Sequence, residues 1–174
     1  AGYKRQSSQN RWNKYWNTYL KLEVALFEPR IPQNTGNIAR SCAAFNIPLN
    51  LIEPLGFKLE DKYLKRAGLD YWPLVTVNQY ENFEKFLASK STKRIISFSK
   101  KNGIYLNDFK FQEDDILLFG REDSGLPERI IDKSDALISI FMPNLNAESN
   151  KKKGVRSLNL SVACGIAVYE AHKQ

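Results

Sequence analysis

Residues 116–127 read ILLFGREDSGLP, four apolar residues followed by a turn rich in glycine and charge. Such a short, continuous apolar run is typical of a strand buried on both faces of a parallel sheet. Gly120 and Gly125 permit a tight turn and the close approach of a ligand, and Pro127 suits the first turn of a helix. The stretch therefore predicts a strand, a ligand-facing turn and a helix in succession.

The same alternation of patterns continues along the chain. Further apolar runs predict strands at residues 22–27, 49–52, 74–77, 95–98 and 136–141. Helical patterns predict helices at residues 35–45, 61–67, 80–88, 127–132 and 158–172. The predicted fold class is therefore α/β, a mainly parallel sheet flanked by helices. We predict one domain over residues 21–174, preceded by a basic aromatic extension at residues 1–20 and carrying a polar loop at residues 144–155.

The formal net charge of +7 indicates an anionic partner, either nucleic acid or a membrane surface. The excess is clustered in the extension, with Lys4, Arg5, Arg11 and Lys14 among aromatic residues, and in the polar loop, with Lys151, Lys152 and Lys153 before Arg156. Basic groups neutralise phosphates and aromatic rings stack on unpaired bases. RNA binding and a tail packed on the domain explain the extension equally well. Membrane binding is less favoured, because the extension shows no amphipathic helical stripe.

The two cysteines and the single histidine bear on the compartment of the protein and on metal binding. Cys42 and Cys164 lie far apart in predicted helices, where they are most simply the buried small hydrophobic residues of a cytoplasmic protein. His172 is the single histidine, so the usual ligand patterns are missing and we predict no metal site. No apolar run approaches the ~18 residues of a membrane span, and no signal-peptide pattern is present.

The first predicted helix separates an apolar face from a polar one. Asn34 or Thr35 is the expected N-cap, and an apolar stripe follows at Ile38, Cys42 and Phe45. Arg40 lies nearly opposite that stripe, so it is expected to face water or a ligand.

The last predicted helix is apolar nearly all round, which indicates burial on most sides. Ser157 is its expected N-cap. Gly165 costs ~1 kcal/mol of helix propensity relative to alanine. We therefore expect another backbone to approach Gly165 closely, either within the core or across a subunit interface.

Three separated segments put small or polar residues where an apolar run gives way to a turn or helix. They are Asn34-Thr-Gly-Asn-Ile-Ala-Arg40, Phe119-Gly-Arg-Glu-Asp-Ser-Gly-Leu-Pro127 and Arg156-Ser-Leu-Asn-Leu-Ser161. Each offers free backbone donors or a compact hydroxyl or amide, as a small polar ligand requires. The chain contains neither a P-loop nor a Rossmann G-x-G-x-x-G pattern. The three segments are expected to form one active site.

The order and spacing of the segments resemble the three motifs of the SPOUT superfamily of RNA 2′-O-ribose methyltransferases. Ile52-Glu-Pro-Leu-Gly-Phe57 and Arg66-Ala-Gly-Leu-Asp-Tyr71 are similar to stretches of its TrmL-like branch, which acts on the tRNA wobble position. The resemblance runs over residues 23–172. The chain departs from it in the basic extension, in the long polar loop and at Phe141, where a proline is common.

The resemblance implies S-adenosylmethionine-dependent transfer of a methyl group to the ribose 2′-hydroxyl of the wobble nucleotide, a cytidine or modified uridine, in the tRNA anticodon loop. It also implies a homodimer and a C-terminal deep trefoil knot, which no periodicity shows. The cofactor residues carried over are Phe98, Phe119, Gly120, Glu122, Gly125, Ile140, Met142, Ser157 and Leu158. The catalytic residues carried over are Arg40, Asn34, Glu122, Ser157 and Asn159.

A guanidinium is a poor proton acceptor. We therefore interpret Arg40 as an electrostatic clamp on phosphate and developing alkoxide, with the proton lost to water or substrate phosphate. The other four residues would orient the loops, cofactor and ribose. RNA contacts are expected from Arg40, Arg156, Lys151, Lys152, Lys153, Arg11 and Lys14.

Other functions remain open at this point. The protein could methylate ribosomal RNA at a ribose 2′-oxygen, or it could be an RNA-binding module of the same fold without catalysis. A nicotinamide oxidoreductase suits the α/β pattern but lacks the glycine fingerprint.

Overall fold

The computed structural model describes residues 19–59, 71–144 and 155–174. Within these ranges seven strands form one sheet: β1 (Glu23–Phe27), β2 (Leu49–Ile52), β3 (Val77–Tyr80), β4 (Ile95–Phe98), β5 (Ile104–Tyr105), β6 (Ile116–Phe119) and β7 (Ala136–Ser139). The α-helices are α1 (Pro32–Phe45), α2 (Phe83–Ser89), α3 (Glu128–Ile131) and α4 (Leu160–His172), and short 3-10 helices span Trp72–Leu74 and Leu106–Asp108. The strand order is β3-β2-β1-β6-β4-β7-β5, and every neighbouring pair is parallel.

The sheet is buried on both faces, because successive side chains of a strand project to opposite sides. In β1, Val24 and Leu26 join one hydrophobic cluster, whereas Ala25 and Phe27 join the other. Helices α1 and α4 cover the first face, and α2 and α3 contribute to the second. The described residues thus form an α/β/α sandwich, which confirms the predicted fold class and its parallel sheet.

Both cysteines lie in the cluster beneath α1 and α4 as free thiols. Burial raises the pKa of the Cys42 thiol to about 12 and raises that of Cys164 well above its usual value. They are therefore inert packing residues, as their helical positions predicted. None of the helices in the described ranges is long and apolar enough to cross a membrane.

The strand predicted at residues 74–77 is wrong by three residues. Leu74 ends a 3-10 helix with its side chain 69% exposed, and β3 begins only at Val77. As the edge strand of the sheet, β3 is half-exposed and carries polar residues, so it lacks a continuous apolar run. The helix predicted from residue 80 begins instead after Asn82, whose side chain accepts a hydrogen bond from the Lys85 amide (2.9 Å).

Other boundaries differ by up to three residues, as at the start of α1, which was predicted at residue 35 and lies at Pro32. The strand predicted at 136–141 ends at Ser139, and residues 140–142 form a loop. The two-residue strand β5 was missed because it is too short to show a period. The helix predicted at residues 61–67 lies outside the described residues.

Candidate active site

A cavity of about 210 Å³ lies among the loops that follow β4, β6 and β7. These strands are neighbours in the order β6-β4-β7, so their carboxyl ends meet at one edge of the sheet. The last residues of β4 and β6, Phe98 and Phe119, stack with ring centroids 4.6 Å apart. Open parallel sheets bind ligands outside the carboxyl ends of their strands, which makes this cavity the candidate active site.

The nine residues that the sequence proposed for cofactor binding all line this cavity. They are Phe98, Phe119, Gly120, Glu122, Gly125, Ile140, Met142, Ser157 and Leu158. Leu160 and Ala163 of α4 also line it and were missed, since they look like ordinary residues of an apolar helix. The cavity therefore has an apolar wall of aromatic and aliphatic side chains facing a polar turn.

Glu122 ties the turn after β6 to the start of α1. Its carboxylate accepts hydrogen bonds from the backbone amides of Arg30 (2.8 Å) and Ile31 (3.1 Å) and from Nδ2 of Asn34 (3.3 Å). Both backbone amides lie just before Pro32, at the N-terminus of α1, which favours negative charge. Both carboxylate oxygens are occupied by donors, so Glu122 is placed to brace the site rather than to accept a proton.

Asn34 and Asn159 extend this link to the third segment. Nδ2 of Asn159 donates to Oδ1 of Asn34 at 2.9 Å, and Asn34 is only 5% exposed. Asn159 also caps α4, because its Oδ1 accepts from the amides of Ser161 (2.9 Å) and Val162 (3.4 Å). The hydrogen-bonded chain Glu122–Asn34–Asn159 therefore joins all three motifs.

These contacts correct two predicted helix caps. Helix α1 begins at Pro32, with Ile31 at the N-cap and no side-chain cap, so neither Asn34 nor Thr35 caps it. The side-chain amide of Asn34 forms hydrogen bonds to Glu122 and Asn159 in the other two segments instead. Ser157 does not cap α4 either, since Asn159 holds that position. Local sequence could not show the role of Asn34, because its partners lie far along the chain.

The turn from Gly120 to Gly125 is closed by its own backbone and braced by an ion pair. Arg121 and Gly125 exchange two backbone hydrogen bonds of 3.1 and 2.9 Å. A Cβ at Gly120 would overlap the backbone of Gly125 and Leu126, so only glycine fits there. Arg121 pairs with the carboxylate of Glu28 (Nε to Oε2 2.8 Å) and lies over the Phe27 ring. Glu28 was not identified from the sequence.

Arg40 is exposed on α1, as predicted, but it does not line the cavity of its own chain. Its guanidinium lies 4.6 Å from the centroid of the Tyr71 ring, and Nη2 donates to the Tyr71 hydroxyl at 3.3 Å. Tyr71, which sequence reasoning had quoted only as part of a motif, is therefore the partner of Arg40.

Among the other predicted RNA contacts, Arg156 is exposed directly before Ser157 of the cavity wall. The remaining ones, Lys151, Lys152, Lys153, Arg11 and Lys14, lie outside the described residues.

One face of α4 is open rather than buried, contrary to the expectation from its composition. Val162, Ile166 and Tyr169 are 50%, 40% and 60% exposed. A Cβ at Gly165 would meet no atom of the described chain within 4 Å, so no described backbone approaches it in the core. The other expected approach, across a subunit interface, stays a prediction. The helix composition alone could not distinguish a core from an open apolar face.

The sequence matches the SpoU rRNA methylase family over residues 21–169. The chain belongs to that family. This match confirms the resemblance to RNA methyltransferases that the three motifs predicted.

Two relatives at about 40% identity align over nearly their whole length, and a more distant one over little more than half of its own. The chain is 39% identical to the tRNA (cytidine(34)-2′-O)-methyltransferase of Escherichia coli K12, covering 88% of this chain and 93% of the relative. A solved structure concerned with the 2-OH methylation of C/U34 on tRNA is 43% identical, with a TM-score of 0.81 over 91% of this chain and 97% of that one. An AdoMet-bound rRNA methyltransferase from Sinorhizobium meliloti, only 22% identical, shares the fold with a TM-score of 0.77 over 89% of this chain and 57% of that one.

Proposed function

We propose that this SpoU-family protein transfers a methyl group from S-adenosylmethionine to the ribose 2′-oxygen of the tRNA wobble nucleotide, a cytidine or modified uridine. The observation that carries the proposal is the hydrogen-bonded chain Glu122–Asn34–Asn159, which brings three distant motifs to one cavity. The substrate follows from the relatives, whose names or subjects are methylation of cytidine or uridine 34 of tRNA.

The cavity residues fit S-adenosylmethionine. Phe98, Phe119, Ile140 and Leu158 offer the apolar surface that an adenosine requires, and the glycine turn at 120–125 brings backbone close to a ligand. Ser157 and the acidic side chains of the turn supply polar groups beside it. The bound cofactor supplies a methyl group carried on a positively charged sulfonium. We assign its binding to the nine residues that the sequence proposed.

Methylation of a ribose hydroxyl also requires a held phosphate backbone and a stabilised oxyanion. Arg40 lies outside the cavity lining, so its role is toward RNA, where a guanidinium can bind phosphate and the developing alkoxide. Asn34, Glu122 and Asn159 hold the loops in place, and Ser157 faces the cavity.

No protein carboxylate or imidazole is assigned as the base. Glu122 already accepts three N–H donors, and His172 packs against Tyr19 and Phe45 rather than lining the cavity. We assign the proton to water or to a phosphate of the substrate.

We further propose a homodimer formed through the open face of α4. Val162, Ile166 and Tyr169 stand at i, i+4 and i+7, which places them on one stripe of the helix. Gly165 lies beside that stripe with free space above it, so a second backbone can approach there. An apolar stripe around a glycine is the kind of surface that a subunit interface covers.

The remaining parts of the proposal rest on the family resemblance and the chain's charge. Residues 21–174 form the methyltransferase domain, with a C-terminal trefoil knot that a crystallographic trace of residues 95–172 would test. Residues 1–20, the lysines at 151–153 and Arg156 contact tRNA phosphates, because they concentrate positive charge. The enzyme acts in the cytoplasm, in keeping with two free thiols and a tRNA substrate.

The experiment that tests the function combines cofactor binding with mapping of the product. Calorimetry should show binding of S-adenosylhomocysteine and no binding of NAD. Incubation of total tRNA with labelled S-adenosylmethionine, followed by mass spectrometry of nuclease fragments, should place the methyl group on the wobble ribose. Methylation of ribosomal RNA fragments instead of tRNA would overturn the substrate, and binding of NAD alone would overturn the reaction.

A further inference from the structure

We propose that a groove beside the cavity binds an unpaired nucleobase of the RNA, adjacent to the nucleotide that is methylated. The inference rests on the proposed function and names a second contact for the same substrate. The groove has a volume of about 500 Å³, and its walls include Lys101, Tyr105 and Phe141. None of these three lines the cofactor cavity.

Two aromatic rings stand open in this groove. Tyr105 and Phe141 are 49% and 60% exposed, and their rings meet edge to face with centroids 5.4 Å apart. Each ring therefore keeps much of its surface in water, which core packing does not explain. Tyr105 lies on β5 and Phe141 in the loop after β7. Exposed aromatic rings beside basic side chains are the stacking platforms on which proteins bind single-stranded bases.

Two lysines supply the charge that a stacked nucleotide requires. Lys100 and Lys101 are exposed in the loop before β5, and neither forms an ion pair with a described residue. The loop is held firmly against β7, because the Gly103 amide donates to the buried Ser139 hydroxyl at 3.0 Å. A Cβ at Gly103 would overlap the backbone of Ile138, so the contact is as close as the chain allows. The backbone of the loop that carries the two lysines is therefore fixed in the free protein.

The groove is continuous with the candidate active site. Lys100, Ile140 and Met142 line both the groove and the cofactor cavity. A base in the groove would consequently lie next to the ribose that reacts. Single-stranded loops are the RNA elements whose bases can be splayed apart in this way.

A second copy of the chain is a less suitable occupant of this surface. Strand β5 is an edge strand of only two residues, and the lysines precede it. Short edges with lysines disfavour pairing with another sheet. The charge complements a phosphate backbone instead, in a chain whose formal net charge is +7.

The test compares Phe141→Ser and Tyr105→Ser with the ring-preserving Phe141→Tyr and Tyr105→Phe in the full chain. The serine variants should raise KM for tRNA by ~5- to 100-fold, as expected for the loss of one base stack, while the conservative variants stay near wild type. The kcat at saturating tRNA and the affinity for S-adenosylhomocysteine should be unchanged.

Lys101→Ala should lower the salt slope of tRNA binding by ~0.7, whereas the matched Lys133→Ala should not.

Provided that the wild-type enzyme methylates tRNA, each of the following outcomes would overturn the groove proposal and leave the proposed reaction intact. An unchanged KM in both serine variants means that no base stacks there. A lower melting temperature with unchanged KM means that the rings pack on the protein itself. A change in sedimentation means that a second copy covers them. Failure of the wild-type protein to methylate any RNA would instead remove the proposed function.

Discussion

Arg40 and Tyr71 form one unit at the scale of single residues. The guanidinium has both the ring face and the hydroxyl of Tyr71 within reach, at 4.6 and 3.3 Å. Cation–π contacts at exposed sites contribute ~0.5–1 kcal/mol, which is enough to restrict a long side chain without removing its charge from solvent. Tyr71 is therefore placed to position the guanidinium to which we assign the RNA contact.

Arg40→Ala should reduce methyl transfer by ~100-fold or more, the scale of losing one electrostatic contact to the transition state. Folding and cofactor binding should persist, because the side chain is exposed and outside the cavity. Tyr71→Leu should lower kcat by ~2- to 5-fold, and Tyr71→Phe, which keeps the ring, by less. Single-turnover rates and calorimetry on the purified variants would measure both effects. Wild-type turnover in Arg40→Ala would show that the arginine is only a surface residue.

His172 gives a clean pH probe because it is the only histidine in the chain. It is 7% exposed between the Tyr19 and Phe45 rings, and burial lowers the pKa of its imidazole below 6.5. The unfolded chain therefore binds this proton at higher pH than the folded one. The stability linked to the neutral His172 imidazole is fully present above pH 6.5 and is lost as the pH falls through the pKa of the folded state.

The prediction is an imidazole NMR titration midpoint below 6.5 and a urea midpoint that declines on acidification from that pH. His172→Gln should reduce the decline of the urea midpoint on acidification. The substitution should affect stability at pH 8 less than it affects this pH dependence. A titration midpoint at or above 6.5 would contradict the burial argument.

At the scale of elements, the end of β1 opposite the cavity is fixed by a buried carboxylate. Glu23, 6% exposed, accepts hydrogen bonds from Lys90 and Lys93 at 2.6 Å each and from Asn50 at 2.8 Å. Burial alone would raise the pKa of Glu23, but these three donors outweigh it, and the net pKa lies below 4.5. The charged form therefore contributes stability above pH 4.5 that is lost as the pH falls through the folded pKa.

Glu23→Gln should destabilise the protein at pH 7 by about 3 kcal/mol, because it leaves the partly buried Lys90 without a carboxylate and leaves Lys93 only its pair with Asp114. The loss should shrink below pH 4.5, where the wild-type carboxyl is itself being protonated. Urea unfolding at both pH values measures this. Glu84→Gln is the matched control, since its pair with Arg129 is exposed on both sides and should change stability little.

The same elements show what the sequence could predict. The strands β1, β2, β4 and β6 were found within one residue because each is a continuous apolar run buried on both faces. The edge strands β3 and β5 were shifted or missed because a half-exposed or two-residue strand carries no such run. The cavity lining was predicted from motifs, but the inter-segment role of Asn34 was not, since its partners lie 88 and 125 positions away.

At the scale of the whole molecule, the open face of α4 is the surface to which we assign the proposed dimer. Tyr169→Asp should convert the proposed dimer to monomer, because it places a charge at the most exposed of the three apolar residues of that face. Sedimentation velocity would report the change, and circular dichroism should show that the helix persists. Glu170→Asp, one position away but off the stripe, is the control and should remain dimeric. A wild-type protein that sediments as a monomer would remove the dimer from the proposal.

The chain Glu122–Asn34–Asn159 also sets the order in which the molecule can mature. Its bonds close loops of 88 and 125 residues, so the cavity cannot take shape until the last helix has been synthesised and docked. Folds dominated by such distant pairings assemble slowly. The proposed ligands therefore cannot bind before α4 has been synthesised. The site is completed when α4 docks against α1 and Asn159 meets Asn34.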